Sequence, residues 1–196
     1  MNADVRLRRL EVEYEGRLEL RFKSFLLRPT PRAEHPDAAA ALEKFRQYTR
    51  GWERIASEPD AGELRFWSTD EGPPSHSIPA HLVAKAAARI SGNAFKRMHE
   101  RLLRAYFVES RDISRESVLR ALWDELDLGQ AGFEAHQDPA LLEEVLEDHD
   151  EAVRLGATGV PAVRLDTHSS VIVGAQPVEL YRRWVERSLL RLEDGG

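Results

Sequence analysis

The spacing of apolar residues changes twice along the chain, and this change limits the folds it can adopt. Residues 18–27 begin with Leu18, Leu20 and Phe22 alternating with charged residues, which is typical of a strand. From about residue 78 to 155 the apolar residues recur at helical spacing almost throughout. Short strand patterns then return before a last helix. The sequence therefore predicts an α/β fold in the order helix (4–15), strand (18–27), a block of helices, a hairpin and a helix (177–192).

Local signals set the expected helix boundaries. Asp138-Pro139 combines a side chain that caps free amides with a proline that fits the first helical turn, and Gly156 is a natural helix terminus. Ser114 is a good N-cap for a helix that begins there. Residues 57–77, which include Pro59, are predicted to form a loop. The expected helices are 37–50 with an extension to 56, 78–91, 92–109, one that begins at Ser114, and 138–155.

The predicted hairpin joins Ala162–Leu165 to Val171–Val173 through a polar turn. Pro161 opens its first strand, where a proline loses no ladder hydrogen bond. On the residues alone, a trans proline that starts a strand is the simpler interpretation. The alternative is a cis Val160–Pro161 bond, which would expose the Val160 backbone for pairing with an extended peptide.

Composition indicates one globular domain and excludes several classes of protein. The 196 residues carry a net charge of −6, so the basic excess typical of nucleic-acid binding is missing. No stretch approaches the roughly 20 apolar residues of a membrane span. No apolar signal region follows Met1, so we expect a cytoplasmic protein. The arginine pair Arg182–Arg183 is interpreted as part of a solvated helix face. The tryptophans are interpreted as packing residues.

The chain contains no cysteine, which excludes thiolate nucleophiles, disulfides and cysteine-ligated metals within these residues. His149 lies in the acidic run Glu147–Glu151, but on a helix these side chains fan around the axis and are expected to face solvent. His99 is interpreted as a packing histidine. We therefore predict no metal and no cofactor.

Two motifs at the end of the chain resemble a known family. Gly156-Ala157-Thr158-Gly159-Val160-Pro161 resembles the cis-proline loop of the DsbA family, and Gly174-Ala175-Gln176-Pro177 resembles a turn of its FrnE-like branch. Arg8-Arg9-Leu10-Glu11 and the run ending in Arg28-Pro29 are similar to that branch as well. The resemblance implies a single thioredoxin-like domain over residues 1–196, with residues 78–155 as a helical insertion.

The resemblance also implies an activity and a site. Members of this family are thiol–disulfide oxidoreductases or isomerases that act on extended thiol substrates. Carried over to this chain, the substrate-binding loop comprises Thr158, Gly159, Val160 and Pro161, and its partner is an extended polypeptide or a small thiol. No catalytic residue can be assigned. Whether the chain forms a homodimer is left undecided by the sequence.

The chain departs from the family at its beginning. The family's Cys-x-x-Cys pair would fall at or just before Met1, and the strand that should precede it is missing. That first strand is central in a thioredoxin sheet, so its loss would leave unpaired backbone groups. An internal start within a longer protein, a degenerate homologue, and a strand supplied by a partner are three explanations, of which we favour the first.

Three functional hypotheses follow. The leading one is a FrnE-like protein that is redox-inactive as written, because its nucleophile is missing. The second is a non-catalytic module that binds an extended segment or a partner chain. The third is a relative of the glutathione-dependent isomerases, in which a serine replaces the first cysteine.

Overall fold

The computed structural model describes residues 1–33, 36–58 and 60–194, and Pro59 of the predicted loop lies outside them. Within this part, the chain is mostly helical, with one small sheet and a 3₁₀ turn at Ala135–Gln137. No helix described here combines the length and the apolar character that crossing a membrane requires. The helices are α1 (Asn2–Glu13), α2 (Ala38–Thr49), α3 (Trp52–Ala56), α4 (Ile78–Ile90), α5 (Gly92–Phe107), α6 (Glu116–Asp124), α7 (Gln130–Glu134), α8 (Pro139–Arg154) and α9 (Val178–Asp194).

Helices α4 to α8 enclose the larger core, as their apolar stripes predict. The Asp138 side chain accepts a hydrogen bond from the Ala140 amide, which confirms the predicted cap, and Gly156 adopts a φ of 93° just beyond α8. Burial of this apolar surface is the main stabilising term for the block. Its fully buried members include Val83, Ala86, Ala87, Met98, Ala105, Leu122, Trp123 and Phe133.

The start of α6 was predicted wrongly. The helix begins at Glu116, and Ser114 does not cap it. The Ser114 hydroxyl instead donates to Asp112 at 2.5 Å and accepts from the Ser75 amide at 2.9 Å, so it ties two loops together. The short helix α7 was not predicted, because one helical turn is too short for a clear periodicity.

The predicted hairpin is present but short. Strand β1 (Ala162–Val163) pairs antiparallel with β2 (Ile172–Val173), with Ala162 opposite Val173. Gly174 follows with a φ of 89°. The hairpin packs on α1 and α9 in a second, smaller core that contains Leu7, Leu10, Tyr14, Leu18, Val163, Ile172, Val178, Leu180 and Tyr181.

Residues 18–27 do not form the predicted strand. The sheet described here contains β1 and β2 alone, and no backbone–backbone hydrogen bond joins residues 19–27 to another described segment. A strand requires a neighbouring strand, and alternation of side chains does not supply one. Side chains take the place of that neighbour. The amides of Leu20, Ser24, Leu26 and Arg28 donate to Glu11, Asp148, His149 and Ser77, each at 3.1 Å.

Candidate functional site

The loop Thr158–Pro161 lies between α8 and β1, where the sequence places the substrate-binding residues. The Val160–Pro161 peptide bond is cis. Thr158 is exposed and Val160 is 49% exposed. In the described chain, no hydrogen bond occupies the backbone N–H or C=O of Val160. The loop therefore presents backbone donors and acceptors to solvent.

Three hydrogen bonds fix the turn after β2, and one of them joins it to this loop. The Gly174 amide donates to the Pro161 carbonyl at 2.8 Å. The Tyr181 hydroxyl donates to the Gly174 carbonyl at 3.2 Å and accepts from the Gln176 amide at 3.2 Å. Tyr181 is 1% exposed, and this burial raises the pKa of its hydroxyl. Tyr181 therefore stays a neutral donor that holds the turn in place.

Arg6 connects the same turn to α1. Its guanidinium donates to the Gln176 carbonyl at 2.9 Å and to the Glu58 carboxylate at 2.8 Å, and it lies 3.4 Å from Asp60. The Arg6 side chain is only 4% exposed, so its guanidinium is shielded from water, whereas the Glu58 side chain is 47% exposed. Sequence reasoning could not find this contact, because the bonded residues lie 52 and 170 positions away from Arg6.

The first turns of α1 also contact α5. Asp4 lies 3.3 Å from the His99 imidazole and 3.0 Å from Arg8. Burial opposes ionisation of Asp4, but the hydrogen bonds and charges of His99 and Arg8 outweigh it and lower the pKa of the carboxyl. The His99 ring packs against Phe22 and Phe95, with centroid distances of 4.7 and 5.7 Å. The interpretation of His99 as a packing residue is confirmed.

Asp148 was predicted wrongly as part of a solvated face. It is 5% exposed and accepts hydrogen bonds from Lys85 at 2.6 Å and from the Ser24 amide at 3.1 Å, and it pairs with Lys23 at 2.9 Å. Burial alone would raise the pKa of Asp148, but these donors outweigh it and lower the pKa. Helical spacing could not show the burial, because Lys85 and Ser24 come from distant segments.

His81 lies near Asp148 and Lys85, and its pKa departs strongly from the ordinary value of a histidine. Burial is the main cause and lowers the pKa of His81 to about 4, although a hydrogen bond to the Phe25 backbone opposes the change. His81 is therefore neutral at pH 7. Among the described residues, no group of three or more histidine and carboxylate side chains could hold a metal ion.

These features support binding through the loop backbone, and within these 196 residues no thiol is present to react. The residues Thr158 to Pro161 lie together because they are consecutive. The structure adds the supporting contacts of Tyr181, Gln176 and Arg6, which sequence reasoning did not find.

Solved structures of two other proteins are similar to this chain over most of its length. A proposed protein disulfide isomerase from Nitrosomonas europaea has a similar structure, with a TM-score of 0.75 and 17% identity over 97% of this chain and 90% of that chain. The cytosolic disulfide reductase DsbM from Pseudomonas aeruginosa gives a TM-score of 0.68 and 25% identity over 97% and 93%. Its structure with GSH gives 0.68 and 24% over 96% and 92%. No curated protein sequence matches the chain.

The family assignment comes from the sequence itself. The family model described as the DSBA-like thioredoxin domain matches residues 1–185. The mostly helical chain with a small sheet is consistent with the expected thioredoxin fold carrying additional helices. The chain therefore belongs to the DSBA-like thioredoxin domain family.

Proposed function

We propose that this chain binds extended thiol peptides, including small thiols such as glutathione, through the loop Thr158–Pro161, and that these 196 residues do not themselves exchange disulfides. The observation that carries the proposal is the exposed Val160, whose backbone N–H and C=O have no partner in the described chain. An extended peptide can satisfy both groups by β-type pairing.

The surroundings of the loop support the same proposal. Gly174 is hydrogen-bonded to the loop at Pro161, and Tyr181 and Gln176 fix the turn that contains Gly174. Arg6 links this turn to α1. A loop fixed in this way loses little conformational entropy when a peptide binds. The DsbM structure with GSH makes glutathione a suitable probe, and the description of DsbM as cytosolic supports a cytosolic location for this chain.

The proposal is tested with S-methylglutathione, whose sulfur cannot undergo exchange, in a calorimetric titration of the whole chain. We expect saturable binding that Val160→Glu weakens at least about tenfold, because the new carboxylate repels the anionic peptide beside its binding site. Val160→Lys should retain binding, since it leaves the backbone groups in place.

Val12→Glu is the matched control, because Val12 is an exposed valine on α1. It should bind the probe like the unmodified chain. Equal binding by Val160→Glu, or no binding by any form, would contradict the proposal. Insulin reduction measured on the same sample should stay at the rate of buffer, and clear turnover would contradict the absence of thiol chemistry.

A further inference from the structure

An open surface depression lies between α9 and strand β2, apart from the loop Thr158–Pro161. Its volume is about 250 Å³. The lining residues are Ile172, Leu180, Arg183, Trp184 and Arg187. The site thus combines two aliphatic side chains and an indole ring with two guanidinium groups.

The two arginines of this site lack a carboxylate partner in the described chain. No ion pair in the described chain involves Arg183 or Arg187, and both are exposed. The nearby acids of α9 are engaged elsewhere, since Glu179 pairs with Arg182 and Glu186 accepts from the Tyr14 hydroxyl. The lining of the site therefore carries two positive charges that no direct ion pair within the described chain neutralises.

The arginines are placed to act together. Residues four apart on a helix lie on the same face, about 5–6 Å apart at Cβ, so Arg183 and Arg187 can both reach one anionic group. Guanidinium groups bind carboxylates and phosphates through paired, charge-assisted hydrogen bonds. Arg191, one turn further, differs because it donates to His168 at 3.3 Å.

Trp184 supplies the apolar part of the site. Its ring meets His168 edge-on at a centroid distance of 5.6 Å, which holds the indole beside the arginines. The other three tryptophans, Trp52, Trp67 and Trp123, are buried, as packing residues should be. Trp184 is half-buried by comparison, so part of its ring is open to a ligand.

We propose that this site binds a small amphipathic organic anion. Arg183 and Arg187 hold its carboxylate or phosphate group, and its aromatic or aliphatic body packs on Trp184, Leu180 and Ile172. A volume of about 250 Å³ lies just below the usual range of ligand pockets, so the ligand has roughly a dozen non-hydrogen atoms. The proposal does not depend on the loop Thr158–Pro161 and can fail independently of it.

The test uses 4-phenylbutyrate as the probe and its neutral amide as the comparison, followed through the four indole N–H signals in NMR spectra. Trp184→Phe identifies the Trp184 signal. We expect 4-phenylbutyrate to shift that signal saturably and to leave the other three in place. The amide should bind at least about tenfold more weakly, because it lacks the charge that the arginines recognise.

The double variant Arg183→Gln/Arg187→Gln should weaken the binding of 4-phenylbutyrate at least about tenfold. Arg191→Gln is the matched control and should bind it normally. Inorganic phosphate should bind more weakly than 4-phenylbutyrate, since it lacks an apolar body. The proposal is overturned if the Trp184 signal does not shift, if the amide or phosphate binds equally well, or if the double variant binds like the unmodified chain.

Discussion

His81 is a single residue whose burial makes the stability of the protein depend on pH. Its pKa falls from an ordinary value near 6.5 to about 4 in the folded chain, so between these values only the unfolded chain binds the proton. Stability is therefore highest above pH 6.5 and is lost as the pH falls toward 4. The two pKa values correspond to a loss of about 2 kcal/mol between pH 7.5 and 5.0.

His81→Gln tests this expectation by removing the titrating group. We expect the difference in the free energy of unfolding between pH 7.5 and 5.0, measured in urea, to shrink by about 2 kcal/mol. His76→Gln, which removes a half-buried histidine from a loop, should leave that difference close to its original value. An unchanged pH dependence in His81→Gln would show that the burial of His81 does not control it.

At the scale of single residues, the sequence could identify candidate functional residues only where the whole motif is contiguous in the chain. The motif around Val160 and Pro161 is consecutive, and in the structure Val160 is 49% exposed and joined to Pro161 by a cis peptide bond. Asp148 and Arg6 depend on residues from distant segments. Their burial and their partners follow from the packing of elements, which local spacing does not encode.

At the scale of elements, the segment 18–28 is held in place by side chains of other elements, and Asp148 is one of them. Asp148 is bonded to the Ser24 amide and to Lys85, whose side chain is 18% exposed. We expect Asp148→Ala to lower the free energy of unfolding by about 3–5 kcal/mol, because it leaves a largely buried charge and an amide without their acceptor. Urea titration measures the loss.

Glu151→Gln provides the control for the Asp148 prediction. Glu151 also pairs with Lys23, at 3.0 Å, but its side chain is 41% exposed. We expect this change to cost less than about 1 kcal/mol, since water screens an exposed pair. Similar losses in the two variants would mean that Asp148 contributes no more than a surface ion pair.

The elements differ in how far the sequence predicts them. The long helices α4, α5 and α8 follow from apolar periodicity, and α8 also from its capping residue, because helical hydrogen bonds are local. The predicted strand 18–27 failed because its hydrogen bonds depend on a neighbour elsewhere in the chain. The hairpin was predicted correctly in place but too long, since only two pairs of residues meet in register.

At the scale of the whole molecule, the two cores divide the chain into parts of unequal stability. The helical core contains many buried residues. Within the described ranges, the core beside the hairpin has three buried residues, namely Leu10, Val178 and Tyr181. Regions with few buried apolar contacts open at a lower free energy than the global transition. The hairpin side should therefore open before the helical block unfolds.

Leu10→Ala tests this difference, since Leu10 is fully buried. Removing its side chain leaves a cavity that costs about 2–5 kcal/mol. We expect faster amide hydrogen exchange at Tyr181 and in β2, while exchange at Met98 and Leu102 of α5 changes much less. Equal acceleration in both regions would show that the two cores unfold as one unit.

The side-chain bonds along residues 18–28 have a consequence for the protein in crowded solution. An extended backbone with open donors is a template on which other chains can add and begin an aggregate. Here Glu11, Asp148, His149 and Ser77 already accept hydrogen bonds from four of the amides on that stretch. We therefore expect these four polar side chains to disfavour the addition of another chain along this segment.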